Sequence, residues 1–443
     1  MKKHQIKHIT LVFIALCCFI EGVYAQNDPS KLQQKIESTV GSEKVELLLK
    51  ASAEHRFSDW DKALNYAQKA LMFSKNMEDP ILTARSQKNI GIVYYFTNNL
   101  SKSEKYYRKA LETYKQINHL KGQSNLLHNI GLLYEGKNQW DSALILYNQS
   151  LEIEKKSNHP ASIASTLGNI ASLHSFKGNY DTALSLLKQS IQKYQEGDDQ
   201  EGILDSYINM GQLYLENELY EQAFEYQNRA INLAEKLNDL YAKAISLNNM
   251  GQTHAEVGNT DFALSLFEES LVLRDKLQDK KGEATVLTNI GLLHQMKGNY
   301  EAADKYLRKA LKIQDKINDH RVMANTYTHL GNNLLEQGLV NESISYFNQS
   351  LGIAREIGAK PEVKDNYEKL IIAHARNEAY AKSKKYMEAY SAIDDSTRLK
   401  NIEAEIARFE NKETTDGFNY NILLIISIFI FIAGVIVLWR TTR

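Results

Sequence analysis

Four histidines, His174, His254, His294 and His374, fall at separations of 80, 40 and 80 residues. Imidazoles hold metals and move protons near neutral pH, so a set at regular spacing is the first place to look for catalysis. Tyr94, Tyr134 and Tyr214 occupy the same register elsewhere, which points instead to an aromatic-sized filler between helices. Gly131, Gly136 and Lys137 satisfy most of a phosphate-binding loop. Asn138 stands where such a loop needs Ser or Thr for its magnesium ion, and no strand-like run precedes it. No zinc-protease helix, nucleophile elbow or paired-carboxylate cleft is legible, which leaves an envelope enzyme with dispersed catalytic groups as a third-rank reading. The two cysteines, Cys17 and Cys18, both lie near the N-terminus. Neither a catalytic residue, a metal nor a cofactor is expected.

Amides are the better signal. Asn89, Asn129, Asn169, Asn209, Asn249 and Asn289 recur every 40 residues. Each side chain both donates and accepts, so a ladder of them can clamp the backbone of an extended peptide without reading its side chains. The same amides could bond to neighbouring helices and only order a stack; both readings stand. Arg85, Lys88 and His128 place cations among the first of these asparagines, a seat for a carboxylate, while Asp205, Glu216, Glu256 and Glu336 make later stretches acidic. A solvated surface of mixed charge is the alternative.

These residues need elements to position them, and the 40-residue period supplies them. The asparagines open the triplets Asn89-Ile90-Gly91, Asn129-Ile130-Gly131, Asn169-Ile170-Ala171, Asn209-Met210-Gly211, Asn249-Met250-Gly251 and Asn289-Ile290-Gly291, with His329-Leu330-Gly331 as a looser member. Small residues follow at Ser103, Ala143, Ala183, Ala223, Ala263, Ala303 and Ser343, then at Ala110, Ser150, Ser190, Ala230, Ser270, Ala310 and Ser350. The pattern predicts two antiparallel helices per unit, A then B, crossing where small side chains let backbones approach. A mid-helix glycine costs about 1 kcal/mol against alanine, so packing must demand the Gly91 column. Gly178, Gly258 and Gly298 suit left-handed helix ends, and Asp141, Asp181, Glu221, Asp261 and Glu301 suit the positive start of the next helix. Trp60, Trp140, Tyr180, Tyr220, Tyr300 and Tyr380 precede such helices as expected hydrophobic staples. Only 4 prolines in 443 residues agree with an all-α chain.

This pattern resembles the tetratricopeptide repeat, in the 40-residue form similar to units of kinesin light chains and other peptide-binding adaptors. The resemblance covers about four fifths of the chain. It lacks the proline late in that family's second helix. It implies a right-handed superhelical solenoid of helical hairpins whose concave groove carries the asparagine column and takes a protein or peptide ligand. Residues 44–393 would hold about nine repeats behind a lead-in at 26–43, the first and last units degenerate as caps.

The ends are read separately. A basic start, an apolar run from Ile9 to Ile20 and Val23-Tyr24-Ala25 compose a signal peptide over 1–25 that would carry away both cysteines. Gly417 to Trp439 contains no charge, and about 20 apolar helical residues span a bilayer, so a transmembrane helix is expected at 419–439. Arg440 and Arg443 follow it, which places a tail at 440–443 in the cytoplasm and the repeats in the periplasm. Leu399, Ile402, Ile406 and Phe409 make 394–418 a stalk, either a coiled coil that pairs two copies into a homodimer or a helix lying on the last repeat. Repeats, stalk and membrane helix in this order resemble the sensory half of membrane histidine kinases and related regulators of Bacteroidota. No kinase activity is carried over, because those chains continue into an effector domain and this sequence reaches Arg443 just after the apolar segment. Lys plus Arg at 53 against Asp plus Glu at 54 gives no footprint for nucleic acid. The expectation is a membrane-anchored extracytoplasmic scaffold or adaptor. The alternative is a receptor subunit signalling to a separately encoded kinase or transcriptional regulator.

Overall fold

The computed structural model describes residues 29–392 except 57, 58 and 138. The signal peptide, stalk, transmembrane segment and tail expected from sequence lie outside these residues. Among the described residues there are 19 helices and no strand. After α1 (Pro29–Ser38) they alternate. The A helices are α2 (Gly41–His55), α4 (Pro80–Phe96), α6 (Leu120–Gly136), α8 (Pro160–Phe176), α10 (Gln200–Glu216), α12 (Leu240–Glu256), α14 (Lys280–Met296), α16 (His320–Glu336) and α18 (Lys360–Arg376). The B helices are α3 (Trp60–Asn76), α5 (Leu100–Gln116), α7 (Trp140–Ser157), α9 (Tyr180–Glu196), α11 (Tyr220–Leu237), α13 (Thr260–Lys276), α15 (Tyr300–Lys316), α17 (Val340–Glu356) and α19 (Tyr380–Ser391). No described helix is long and apolar enough to cross a membrane.

The chain divides between Thr253 and His254 into two compact units. In the first, α2/α3, α4/α5, α6/α7, α8/α9 and α10/α11 pack as hairpins; in the second, α14/α15, α16/α17 and α18/α19 do. Both small-residue columns close these hairpins: Ser103, Ala143, Ala183, Ala223, Ala263, Ala303 and Ser343 are fully buried. Where the residue is serine the hydroxyl also ties the pair, Ser103 Oγ donating to Gly91 O at 2.8 Å and Ser383 Oγ to Ile371 O at 3.0 Å. A Cβ on Gly91 would sit 2.5 Å from the Tyr107 ring, and one on Gly211 would sit 2.8 Å from Gln227 Cγ. Close approach is therefore why those helices carry glycine. The core of each unit is a layer rather than a ball, with Tyr147, Leu151, Ile170 and Leu173 in one local cluster and Phe347, Leu370, Ile371 and Tyr390 in another. Each large side chain buried this way contributes about 1.5–3 kcal/mol.

Three-residue turns join the helices, and one motif recurs at their ends. Asp79 N donates to Ser74 O at 3.2 Å and Glu78 N to Lys75 O at 3.0 Å, with Glu78 at φ 56°. This is a Schellman end, in which a left-handed residue turns two orphan carbonyls inward. Glycine fills that place at 178, 258, 298, 338 and 358, as the sequence suggested for the first three, but Asn98, Asn118, Asn158, Asp198, Glu218, Asn238, Gln278, Asn318 and Glu378 fill it elsewhere. Side-chain caps at Asp79, Asp199, Asp279 and Asp319 then open the next A helix. The staple reading of the aromatics needs correction: Trp60, Trp140 and Tyr180 are the first helical residues, one place too late to precede a cap. Trp140 instead stacks on Phe176 of the next hairpin at 5.8 Å.

A candidate peptide-binding face on the A helices

Across successive hairpins the A helices touch directly, α2 with α4 and α8 with α10 in the first unit, α14 with α16 and α16 with α18 in the second. The B helices come less close, so the A helices form the inner side of each stack. Every asparagine of the 40-residue column sits in the middle of an A helix.

The column is not uniform. Asn89 is buried; its Oδ1 accepts from Ser52 Oγ at 3.1 Å and its Nδ2 donates to Leu49 O at 3.3 Å, which ties α4 to α2. Asn169 Nδ2 lies 3.0 Å from His128 Nε2, and His128 Nδ1 lies 3.2 Å from Thr166 Oγ1, a bridge from α8 to α6. Asn249 accepts from Asn248 at 3.4 Å, and Asn289 is buried in α14. Asn129 and Asn209 are half-buried, and their amides make no hydrogen bond to any described residue. The reason lies 37 and 41 residues earlier, where Asn89 and Asn169 find their partners. Asn129 meets Ile92 and Lys88 at those positions. Asn209 meets Gly168 and Ser172, whose hydroxyl already donates to Gly168 O at 3.2 Å.

The charged set is also rearranged. Arg85 pairs with Glu46 through both guanidinium nitrogens, one bond measuring 2.8 Å. Half-buried Lys88 has no ion pair among the described residues. Burial lowers its pKa, and the like charges of Arg85 and Arg56 lower it further. The expectation that His128 adds a third cation is corrected: burial holds it at about 4, so it is neutral at pH 7 and acts as a hydrogen-bond bridge. Arg56 takes that place instead. Its guanidinium lies 5.9 Å from the Phe96 ring, its Nε has no partner among the described residues, and burial lowers its pKa. Sequence reading missed Arg56 although it shares the register of Glu216, Glu256 and Glu336. Further along the first unit the sign changes. Glu135 accepts from Tyr147 Oη at 2.7 Å and Glu216 from Ser175 and Gln212 at 3.3 Å, and burial raises both carboxyls above the usual range.

The histidine column stacks within hairpins, His294 on Tyr306 at 5.4 Å and His374 on Tyr386 at 5.5 Å, as Tyr94 does on Tyr106 and Tyr214 on Tyr226. Lys137 of the loop-like motif bonds Glu104 at 2.9 Å. Among the described residues no three His, Cys, Asp or Glu side chains are grouped to hold a metal.

No curated protein matches the sequence significantly. Solved structures of similar fold include a Rap protein complexed with competence and sporulation factor, at 13% identity and TM-score 0.55, over 83% of this chain and 100% of that one. The apo quorum sensor NprR from B. thuringiensis is similar at 16% identity and TM-score 0.56, over 73% and 91%. A signal transduction ATPase with a tetratricopeptide repeat sensor, from Pyrococcus horikoshii, is similar at 18% identity and TM-score 0.51, over 86% and 51%. At such identities the likeness is one of fold. The tetratricopeptide repeat family model matches residues 45–116, 82–156, 162–236, 242–316 and 282–356. With more than half of its length matched in this way, the chain belongs to the tetratricopeptide repeat family.

Proposed function

We propose that this protein is a scaffold or adaptor that holds an extended segment of another protein along the inner A-helix face, and that it does so outside the cytoplasm, anchored by residues 419–439. The observation that carries the binding role is the pair of half-buried, unbonded amides at Asn129 and Asn209. A half-buried amide without a partner forgoes about 1 kcal/mol or more of hydrogen bonding, which a peptide backbone would restore. That the similar structures include a quorum sensor and a Rap protein complexed with a factor is in keeping with a ligand-holding role. The anchor rests on the uncharged run 417–439 and the basic residues after it, and pairing of two copies through Leu399, Ile402, Ile406 and Phe409 belongs to the same proposal.

The test is selection of a random dodecapeptide library on the purified full chain, compared with the Asn129→Ala/Asn209→Ala variant. Loss of most selected peptides at an unchanged melting temperature is expected. Equal selection by both proteins removes the amides from the binding site.

A further inference from the structure

The register of the asparagine column does not stop at Asn289. It continues as His329 in α16 and Lys369 in α18, which are adjacent A helices of the second unit. Lys369 is only 8% exposed, yet it makes no hydrogen bond or ion pair with any described residue. Its Nζ is not among the side-chain atoms that are both fully buried and unpartnered, so the stem is walled in and the ammonium keeps an outlet. The nearby acids do not serve it. Glu362 is taken by Arg321 at 2.8 Å, and half-buried Asp365, one turn earlier on the same helix, forms no ion pair with it within 4.0 Å. Lys364 reaches the other way, over the Tyr390 ring at 5.5 Å. His329 too makes no hydrogen bond to a described residue, and burial followed by the charge of Lys369 holds it neutral at pH 7, with a pKa of about 4. A neutral imidazole beside an ammonium offers one more donor without adding repulsion.

We propose that Lys369 and His329 form a carboxylate-reading subsite on the inner face of the second unit, where an acidic side chain of the bound segment docks. An ammonium whose stem is already immobilised has given up most of its rotamer freedom before any ligand arrives, so an ion pair made there loses less entropy than one made by a free surface lysine. Buried charge without a partner is costly, and a ligand carboxylate is the group that removes the cost. The amides of the first unit contact any backbone; this subsite makes the column selective. The inference rests on the reading of the A face as a binding groove, and its test is independent of peptide capture.

N-acetyl-glutamate amide and N-acetyl-glutamine amide are titrated into the full chain in detergent, with the Cε1 proton of His329 as the reporter. The glutamate compound should shift that resonance at concentrations at least about tenfold below the glutamine compound, as a charge-assisted hydrogen bond requires. Lys369→Arg should keep the difference and Lys369→Met, close in volume, should abolish it with the fold retained. Equal shifts from the two compounds, no shift from either, or an undiminished difference in Lys369→Met would overturn the proposal. Failure of dodecapeptide selection together with a glutamate-specific shift would sink the groove and leave the subsite standing.

Discussion

Asn89 and Asn129 are the same residue in the same helical register, and they do different work because their neighbours one repeat earlier differ. Ser52 and Leu49 O occupy the Asn89 amide, whereas Ile92 and Lys88 leave that of Asn129 unbonded. Asn89→Ala should therefore lower stability by about 1–2 kcal/mol, since two inter-hairpin bonds go and Ser52 loses a partner, while Asn129→Ala should stay within about 0.5 kcal/mol. Parallel urea melts of the two variants check this, and equal losses would show that burial alone governs the column. The column itself was plain in the sequence; its division was not, because a period reports what is equal among repeats and the division depends on what is unequal at separations of 37 and 41 residues. His128 illustrates the same limit. Read alone it is a cation near Arg85 and Lys88, but between Thr166 and Asn169 burial holds its pKa at about 4. The native state keeps it neutral while the unfolded chain protonates near pH 6.5, so its stabilising contribution is complete above about 6.5 and is lost as pH falls through 4. The stability gap between wild type and His128→Gln should narrow or reverse between pH 7 and pH 4. A gap independent of pH would mean that the ring is solvated and charges freely.

At the scale of elements, helix identity and pairing followed from the period, because small residues at fixed places leave one way for two helices to cross. Gly211→Leu should destabilise by about 1–3 kcal/mol or more, its side chain forced into Gln227, and Ala223→Leu, at a site with no exposed surface, should do the same. Unchanged melting of both variants would mean that α10 and α11 cross elsewhere. The turns were half legible. Glycine announced a left-handed residue at 178, 258 and 298, but Asn, Asp, Glu and Gln adopt the same φ at the other ends without any comparable signal, since three-residue connections between packed helices impose it. Nothing crowds a Cβ on Gly298, so Gly298→Ala isolates the backbone term and should cost about 1 kcal/mol, while Glu218→Gly should be stabilising by less than that, as glycine also loosens the unfolded chain. Calorimetry of the two variants gives both signs; a stabilising Gly298→Ala would contradict the left-handed assignment.

At the scale of the whole molecule, two units built from one repeating hairpin expose their A helices as binding faces, and the uncharged run 417–439 fixes on which side of a membrane those faces lie. Single cysteines in place of Glu218 and Thr442, probed with an impermeant maleimide on intact spheroplasts, should label at 218 and remain unlabelled at 442 until the membrane is opened. The reverse pattern would put the repeats in the cytoplasm and remove the anchored scaffold. The central claim is that an extended partner lies along the A helices, and site-specific photocrosslinking in living cells tests it most directly. A benzoylphenylalanine at position 125 or 165 stands one helical turn before Asn129 or Asn169 on the same helix face, and at position 189 or 228 it stands on the exposed surface of α9 or α11. Crosslinks to a common partner from 125 and 165, with none from 189 and 228, are the result expected. Crosslinks confined to 189 and 228 would contradict the account, because the partner would then sit on the B helices and the asparagine column would have no part in holding it.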